Sequence, residues 1–259
     1  MSGLAGRLFL LRELVARDWR SRYAGSLLSF AWAFAQPAAQ LVLFTFVFST
    51  VLRLPAAAGR PADFAAFLFC GLLPWIGLSE GTQRSALALT EGAYLVRKHR
   101  FPAELLVVSA VLSALIQQVA AGVVFVVAVG LTRGLAWERL LAWPGLLLLQ
   151  AALSIGLGLL LSVGQVLLKD VAQAVGLLLM VWFYATPIIY PSEMVPDRFA
   201  LLRDANPLGL LVDGHRWMLL AGEPPGAAAW LWFAGLVGGL LVSGVWFFSR
   251  MRPTLADEL

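Results

Sequence analysis

The chain of 259 residues has two lysines, Lys98 and Lys169, two histidines, His99 and His215, and a single cysteine, Cys70. Each shortage excludes a chemistry. A nucleotide-binding P-loop needs Gly-Lys-Ser/Thr so that its lysine reaches the phosphates, but Lys98 follows Arg97 and Lys169 follows Leu168. ATP hydrolysis of that kind has to come from another chain. One cysteine allows neither an intramolecular disulfide nor a cysteine-based zinc site, and Cys70, inside an apolar run, reads as a small packing residue. His99 and His215 stand beside Arg100 and Arg216 with no cluster of carboxylates in sequence, which argues against a metal site or histidine-based catalysis. No catalytic residue, metal or cofactor is expected on this chain.

Charge is itself scarce. Only 13% of residues are charged while 60% are hydrophobic, and the mean hydropathy is +0.83. A fold this apolar has too few polar residues to cover a water-facing surface, so the expected solvent is lipid. The net charge of +4 comes from 19 basic residues scattered between long uncharged runs. They form no stripe of the kind that holds nucleic acid. The first long uncharged run begins after Arg22 and exceeds the apolar core of a secretory signal, so the N-terminus is expected to be retained.

The rare charges punctuate the chain. Measured against the roughly 20 apolar residues that cross a bilayer core as a helix, the gaps predict an all-α integral membrane protein with six transmembrane helices. They fall at 26–52, 64–89, 105–131, 142–168, 171–190 and 227–249. The second is interrupted by Glu80 and Arg84, one helical turn apart and able to pair. With the N-terminus inside, 12 basic residues fall on the inner side and 7 on the outer, so both termini are expected in the cytoplasm.

Ahead of the first span, residues 4–22 read as an interfacial amphipathic helix. Leu4, Leu8, Leu11, Val15 and Trp19 share roughly a quarter of the helical wheel, with Arg12, Glu13, Arg17 and Arg20 off that stripe. Phe9, Leu10 and Leu14 blur the pattern. Beyond the fifth span, Asn206-Pro207 can start a helix, with asparagine as cap and proline at the first position. The apolar run that follows, 208–220, makes a helix of only about 20 Å. It is too short to cross, hence re-entrant or interfacial, and Asp213 and Arg216 can neutralise each other within it.

The loop at 91–101 combines Glu91, Tyr94, Leu95 and Phe101 with the cations Arg97, Lys98, His99 and Arg100. It suits both an anchor to anionic lipid and docking to a cytosolic protein through aromatic and apolar residues within a charged rim. Trp32, Trp75, Trp182, Phe183, Tyr184 and Tyr190 are candidate channel aromatics, because sugar rings present C–H faces that stack on such side chains.

Arg12-Glu13-Leu14, Arg17-Asp18-Trp19-Arg20-Ser21-Arg22-Tyr23-Ala24-Gly25-Ser26-Leu27-Leu28 and Gln36-Pro37 resemble the start of polysaccharide-exporting ABC permeases, within the second class of ABC exporters. Tyr184-Ala185-Thr186-Pro187-Ile188-Ile189-Tyr190-Pro191, Asn206-Pro207-Leu208 and Arg216-Trp217 look like that family's late signatures. The resemblance implies a permease subunit, not an enzyme, exporting O-antigen, teichoic acid or capsule on a polyprenyl diphosphate lipid across the bacterial inner membrane. It implies a homodimer carrying two copies of a separate ATPase subunit, which binds the ATP and magnesium. It places the ATPase-coupling helix on 91–101 and short re-entrant helices on 191–222, and it makes Arg17, Arg20, Arg22 and Tyr23 candidates for the diphosphate. The family's channels are rich in tyrosine, whereas this chain has 4 Tyr against 16 Phe and 10 Trp. A permease of the same architecture for a small drug or lipid is the alternative.

Overall fold

The computed structural model describes residues 4–22, 29–44, 46–47, 51, 61–97, 101–134, 136–220 and 223–259. Among the described residues every regular element is helical. In chain order they are α1 (Leu4–Arg22), α2 (Ser29–Phe44), α3 (Pro61–Glu91), α4 (Ala93–Val96), α5 (Glu104–Arg133), α6 (Trp137–Leu140), α7 (Trp143–Leu167), α8 (Val171–Ala185), α9 (Ala200–Asp204), α10 (Pro207–Leu220) and α11 (Ala227–Glu258). Two short 3₁₀ turns, Ser192–Met194 and Asp197–Phe199, lie between α8 and α9.

Among the described residues, four stretches are long and apolar enough to cross a bilayer: Phe64–Glu91, Glu104–Thr132, Trp137–Leu167 and Ala227–Leu255. The expected spans 26–52 and 171–190 contain helices of 16 and 15 residues, α2 and α8. At 1.5 Å per residue these are about 24 and 22 Å long, against a hydrocarbon core of about 30 Å. Residues 26–28, 45, 48–50 and 52 of the first of them lie outside the described residues. The fifth helix stops at Ala185, not Tyr190, because Thr186 precedes Pro187 and takes an extended conformation, φ −98° and ψ 135°. At the other extreme α11 runs past residue 249 to Glu258, so Arg250 and Arg252 extend the helix rather than end it.

The centre of the bundle is α3, which packs on α5 and α7; α11 lies on α7, α10 on α3 and α1 on α5. Lipid is as apolar as leucine, so close backbone approach has to supply much of the helix association in a membrane. The α7–α11 crossing shows it. A Cβ on Gly156 would stand 2.9 Å from the Leu240 carbonyl carbon, and one on Gly244 would stand 2.6 Å from the Gly156 carbonyl oxygen. Only hydrogen fits at either place.

Proline inside α3 interrupts its hydrogen-bond ladder at Pro74. Beside it, Gln118 of α5 and Gln150 of α7 exchange amide hydrogen bonds at 3.0 and 2.6 Å, and Gln150 Nε2 also donates to the Pro74 carbonyl at 3.1 Å. Both glutamines are fully buried. Three helices thus share one polar node.

Candidate functional site

An open groove of about 640 Å³ runs between α3 and α8, with Gln40 of α2 at its margin. Its α3 wall is Leu72, Trp75, Ile76, Ser79, Glu80 and Gln83, spaced three, one, three, one and three residues apart, which is one face of a helix. The α8 wall, Gly176, Leu179, Met180, Phe183 and Tyr184, repeats the same spacing. Trp75 and Phe183 meet across the groove with ring centroids 5.2 Å apart, and Tyr184 stands edge-on to Phe183 at 5.2 Å. Gln83 Nε2 donates to the Ala172 carbonyl at 3.0 Å and so ties the two walls together. Aromatic faces and amide, hydroxyl and carboxylate groups therefore line a single trough.

Of the six aromatics singled out in the sequence, Trp75, Phe183 and Tyr184 line this groove. Trp32 lies on α2, half exposed and away from the lining. Trp182 has a different task. Its Nε1 donates to Asn206 Oδ1 at 2.8 Å, and Asn206 Nδ2 donates to Thr186 Oγ1 at 2.8 Å. Asn206 Oδ1 also accepts the Leu208 N–H at 3.1 Å, capping α10. Tyr190 folds back to donate from its hydroxyl to the Tyr184 carbonyl at 2.8 Å.

The same end of the bundle holds Arg216. Its guanidinium lies 3.6 Å from the centre of the Phe67 ring, donates to the Ile188 carbonyl at 3.0 Å, and pairs with Asp213 at 3.6 Å. Ile188 itself is fully buried. The unwound segment after α8 is thus pinned from two sides, by Asn206 and by Arg216. His215 is buried and donates from Nδ1 to the Leu211 carbonyl at 2.7 Å.

At the opposite end, α3 gives way to α4 through a turn at Gly92. Tyr94 is exposed, and Arg17 Nη1 of α1 donates to its hydroxyl at 2.6 Å. Leu95 and Phe101, expected at the surface, instead pack on the cluster of Leu14, Leu106, Val163 and Leu255. Partial burial of these two apolar side chains seats the segment on the bundle. Arg97 reaches the Leu259 carbonyl, and Arg252 of α11 donates to the Phe101 carbonyl at 3.2 Å. Glu104, at the start of α5, faces Arg7 at 3.8 Å and Arg252 at 3.9 Å. Glu91 is exposed.

Arg84 holds two carboxylates, Glu80 at 3.7 Å on its own helix and Asp18 of α1, on which both guanidinium nitrogens close. Sequence spacing anticipated the first pair; the second joins residues 66 apart and left no local signal. Arg17 and Arg20 line a hollow of about 610 Å³ with Glu13, Leu95 and Phe101. Arg20 is also bonded to the Ala16 carbonyl at 3.2 Å. Tyr23, Lys98, His99 and Arg100 lie outside the described residues, as does the side chain of Arg22. The Gln118–Gln150 node was missed. Its signal was present, since glutamines within apolar membrane helices are the usual partners for one another.

Long apolar helices around a trough with aromatic walls describe a polytopic membrane protein. Residues 10–220 match the model of the ABC-2 type transporter family. The chain belongs to that family. It is 30% identical over 257 residues to the O-antigen export system permease protein RfbA of Myxococcus xanthus, covering 96% of this chain and 95% of the relative. It is 27% identical to the protein of the same name from Klebsiella pneumoniae, over 98% and 96% of the two chains. To the polysialic acid transport protein KpsM of Escherichia coli it is 24% identical, over 85% of each.

Proposed function

We propose that this chain is the permease subunit of an ATP-driven exporter that moves lipid-linked polysaccharide, of the O-antigen, teichoic acid or capsule kind, across the cytoplasmic membrane. Two copies of a six-span subunit enclose the path, with both termini in the cytoplasm and two ATPase subunits beneath. The names of relatives that match over nearly the whole chain support the cargo. The observation that carries the reading is the groove, where Trp75, Phe183 and Tyr184 stand with Ser79, Glu80 and Gln83 on facing helix stripes. Sugars present both C–H faces and hydroxyls, and this lining answers both. A second copy laid over the open side turns the trough into a conduit.

Movement of a long polymer requires that no ring be held tightly. Single aromatic contacts, at about 0.5–1.5 kcal/mol each, satisfy that condition. Force enters at residues 91–101, with Glu91, Tyr94 and Arg97 turned to the ATPase and Lys98, His99 and Arg100 completing its charged rim. Leu95 and Phe101 root that segment in the bundle. Because Arg17 grips Tyr94 and Asp18 grips Arg84, a push on α4 reaches α1 and α3 together. Arg17 and Arg20, with Arg22 and Tyr23, take the lipid diphosphate, Arg offering paired N–H donors to phosphate. The partner supplies ATP hydrolysis.

The test is the amount of glycan at the cell surface when the chromosomal gene carries Trp75→Ala/Tyr184→Ala. Export is expected to fall about tenfold, the loss of two stacking contacts, while the ATPase still co-purifies. Unchanged export would remove the groove from the path.

A further inference from the structure

Helix α1 has two apolar faces, one seated on the bundle and the other only partly covered by protein. Leu14 is its one buried apolar residue, with Leu10 beside it in the cluster shared with Leu106 and Leu255. This face is what blurs the stripe in the sequence. The stripe itself, about a third of a turn away, opens onto a crevice of about 1090 Å³ between α1, α5 and α7. Val15 and Trp19 form one wall, Ile116 and Val119 a second, and Leu147 and Leu148 a third. The walls are apolar almost without interruption. Ile116 is 42% and Leu148 71% exposed, so among the described residues no side chain fills the space.

Two guanidiniums, of Arg12 and Arg20, stand at the crevice edge. They are about 12 Å apart along the helix. Arg20 has its own neighbours, the Ala16 carbonyl at 3.2 Å and Glu13 at 4.0 Å. Among the described residues no carboxylate lies within ion-pair distance of Arg12. An apolar slot in a membrane protein takes a hydrocarbon chain at no desolvation cost, and a free guanidinium at its mouth selects a phosphate. A zwitterionic headgroup would bring an ammonium against that same guanidinium, whereas an anionic one brings none.

We propose that this crevice binds an anionic phospholipid, with an acyl chain laid against the α1 stripe and the phosphate held by Arg12. The lipid covers the part of this face that protein leaves open and fastens the helix to α5 and α7. The site shares no lining residue with the α3–α8 groove, and its phosphate ligand, Arg12, takes no part in the proposed diphosphate site.

The test uses the full chain purified with its ATPase and equilibrated with nanodiscs of equal phosphatidylglycerol and phosphatidylethanolamine, the retained lipids being counted by native mass spectrometry. Phosphatidylglycerol is expected to be retained about tenfold over phosphatidylethanolamine, and Arg12→Gln to remove about that preference, the effect of one charge-assisted contact. Arg12→Lys should restore part of it. Ile116→Trp, which fills the slot and leaves both arginines in place, should lower retention of either lipid. Equal retention of the two lipids, an unaltered preference in Arg12→Gln, or recovery of a polyprenyl phosphate in place of phospholipid overturns the proposal. Arg12 is exposed, so its variants report on binding even where Ile116→Trp fails to fold.

Discussion

At the α10 end of the bundle, Trp182, Thr186, Asn206 and Leu208 are joined by neutral hydrogen bonds around a buried asparagine. At the α1 end, Arg17, Arg84, Arg97 and Arg252 make charged contacts with groups that water partly reaches. Neutral bonds of the first kind, where water does not reach, cannot be broken without leaving a buried donor unpaired. Pairs of the second kind are individually weak, are screened by salt, and can be remade with a new partner. One end of the molecule is built to hold its shape and the other to yield. The yielding end is the one that bears α4, where the proposed motor would press.

Four substitutions separate these behaviours, from the largest expected effect to the smallest. Asn206→Ala strands the Trp182 indole N–H and the Leu208 amide, and should cost about 3 kcal/mol in a detergent unfolding titration. A loss below about 1 kcal/mol would mean that the α10 end is not the stiff one. Gln150→Leu leaves Gln118 unpaired and should cost about 1–2 kcal/mol. The Gln118→Leu/Gln150→Leu double variant should recover most of that, since both partners are then apolar; a further loss on doubling would show the node to be net stabilising.

Arg84→Gln should cost about 1 kcal/mol or less, and the deficit should shrink as salt is raised. The exchange Asp18→Arg/Arg84→Asp tests the same pair by rescue. Tyr94→Phe removes one hydroxyl at an exposed ring and should leave unfolding within about 0.5 kcal/mol. Its signature is expected in the ratio of glycan exported to ATP hydrolysed, with ATPase binding retained. A variant that loses ATPase binding instead would place Tyr94 in docking alone.

Legibility in the sequence follows the same divide. The helices α3, α5, α7 and α11 are marked out because charges bound long apolar runs, a signal carried by single residues in order. The end of α8 was also available locally, since Thr186-Pro187 forbids continuation, yet an uncharged run through Ser192 concealed it. The two faces of α1 could be seen only as a blurred stripe, because Leu10 and Leu14 serve a surface that exists once α5 is in place. At the site, composition singled out Trp75, Phe183 and Tyr184 as well as Trp182, but nothing local separates a ring that lines a groove from one that holds an asparagine. Asp18 with Arg84, and Gln118 with Gln150, meet across 66 and 32 residues. Such pairs are properties of the packing rather than of any window of sequence.

The crossing of α7 and α11 at Gly156 and Gly244 has a thermodynamic side. A contact made of main chain freezes no rotamers, so joining the two helices there forfeits no side-chain entropy, where burying a leucine or methionine would. Within a bilayer, with no water to expel, that saving is a sizeable part of what favours the joined state.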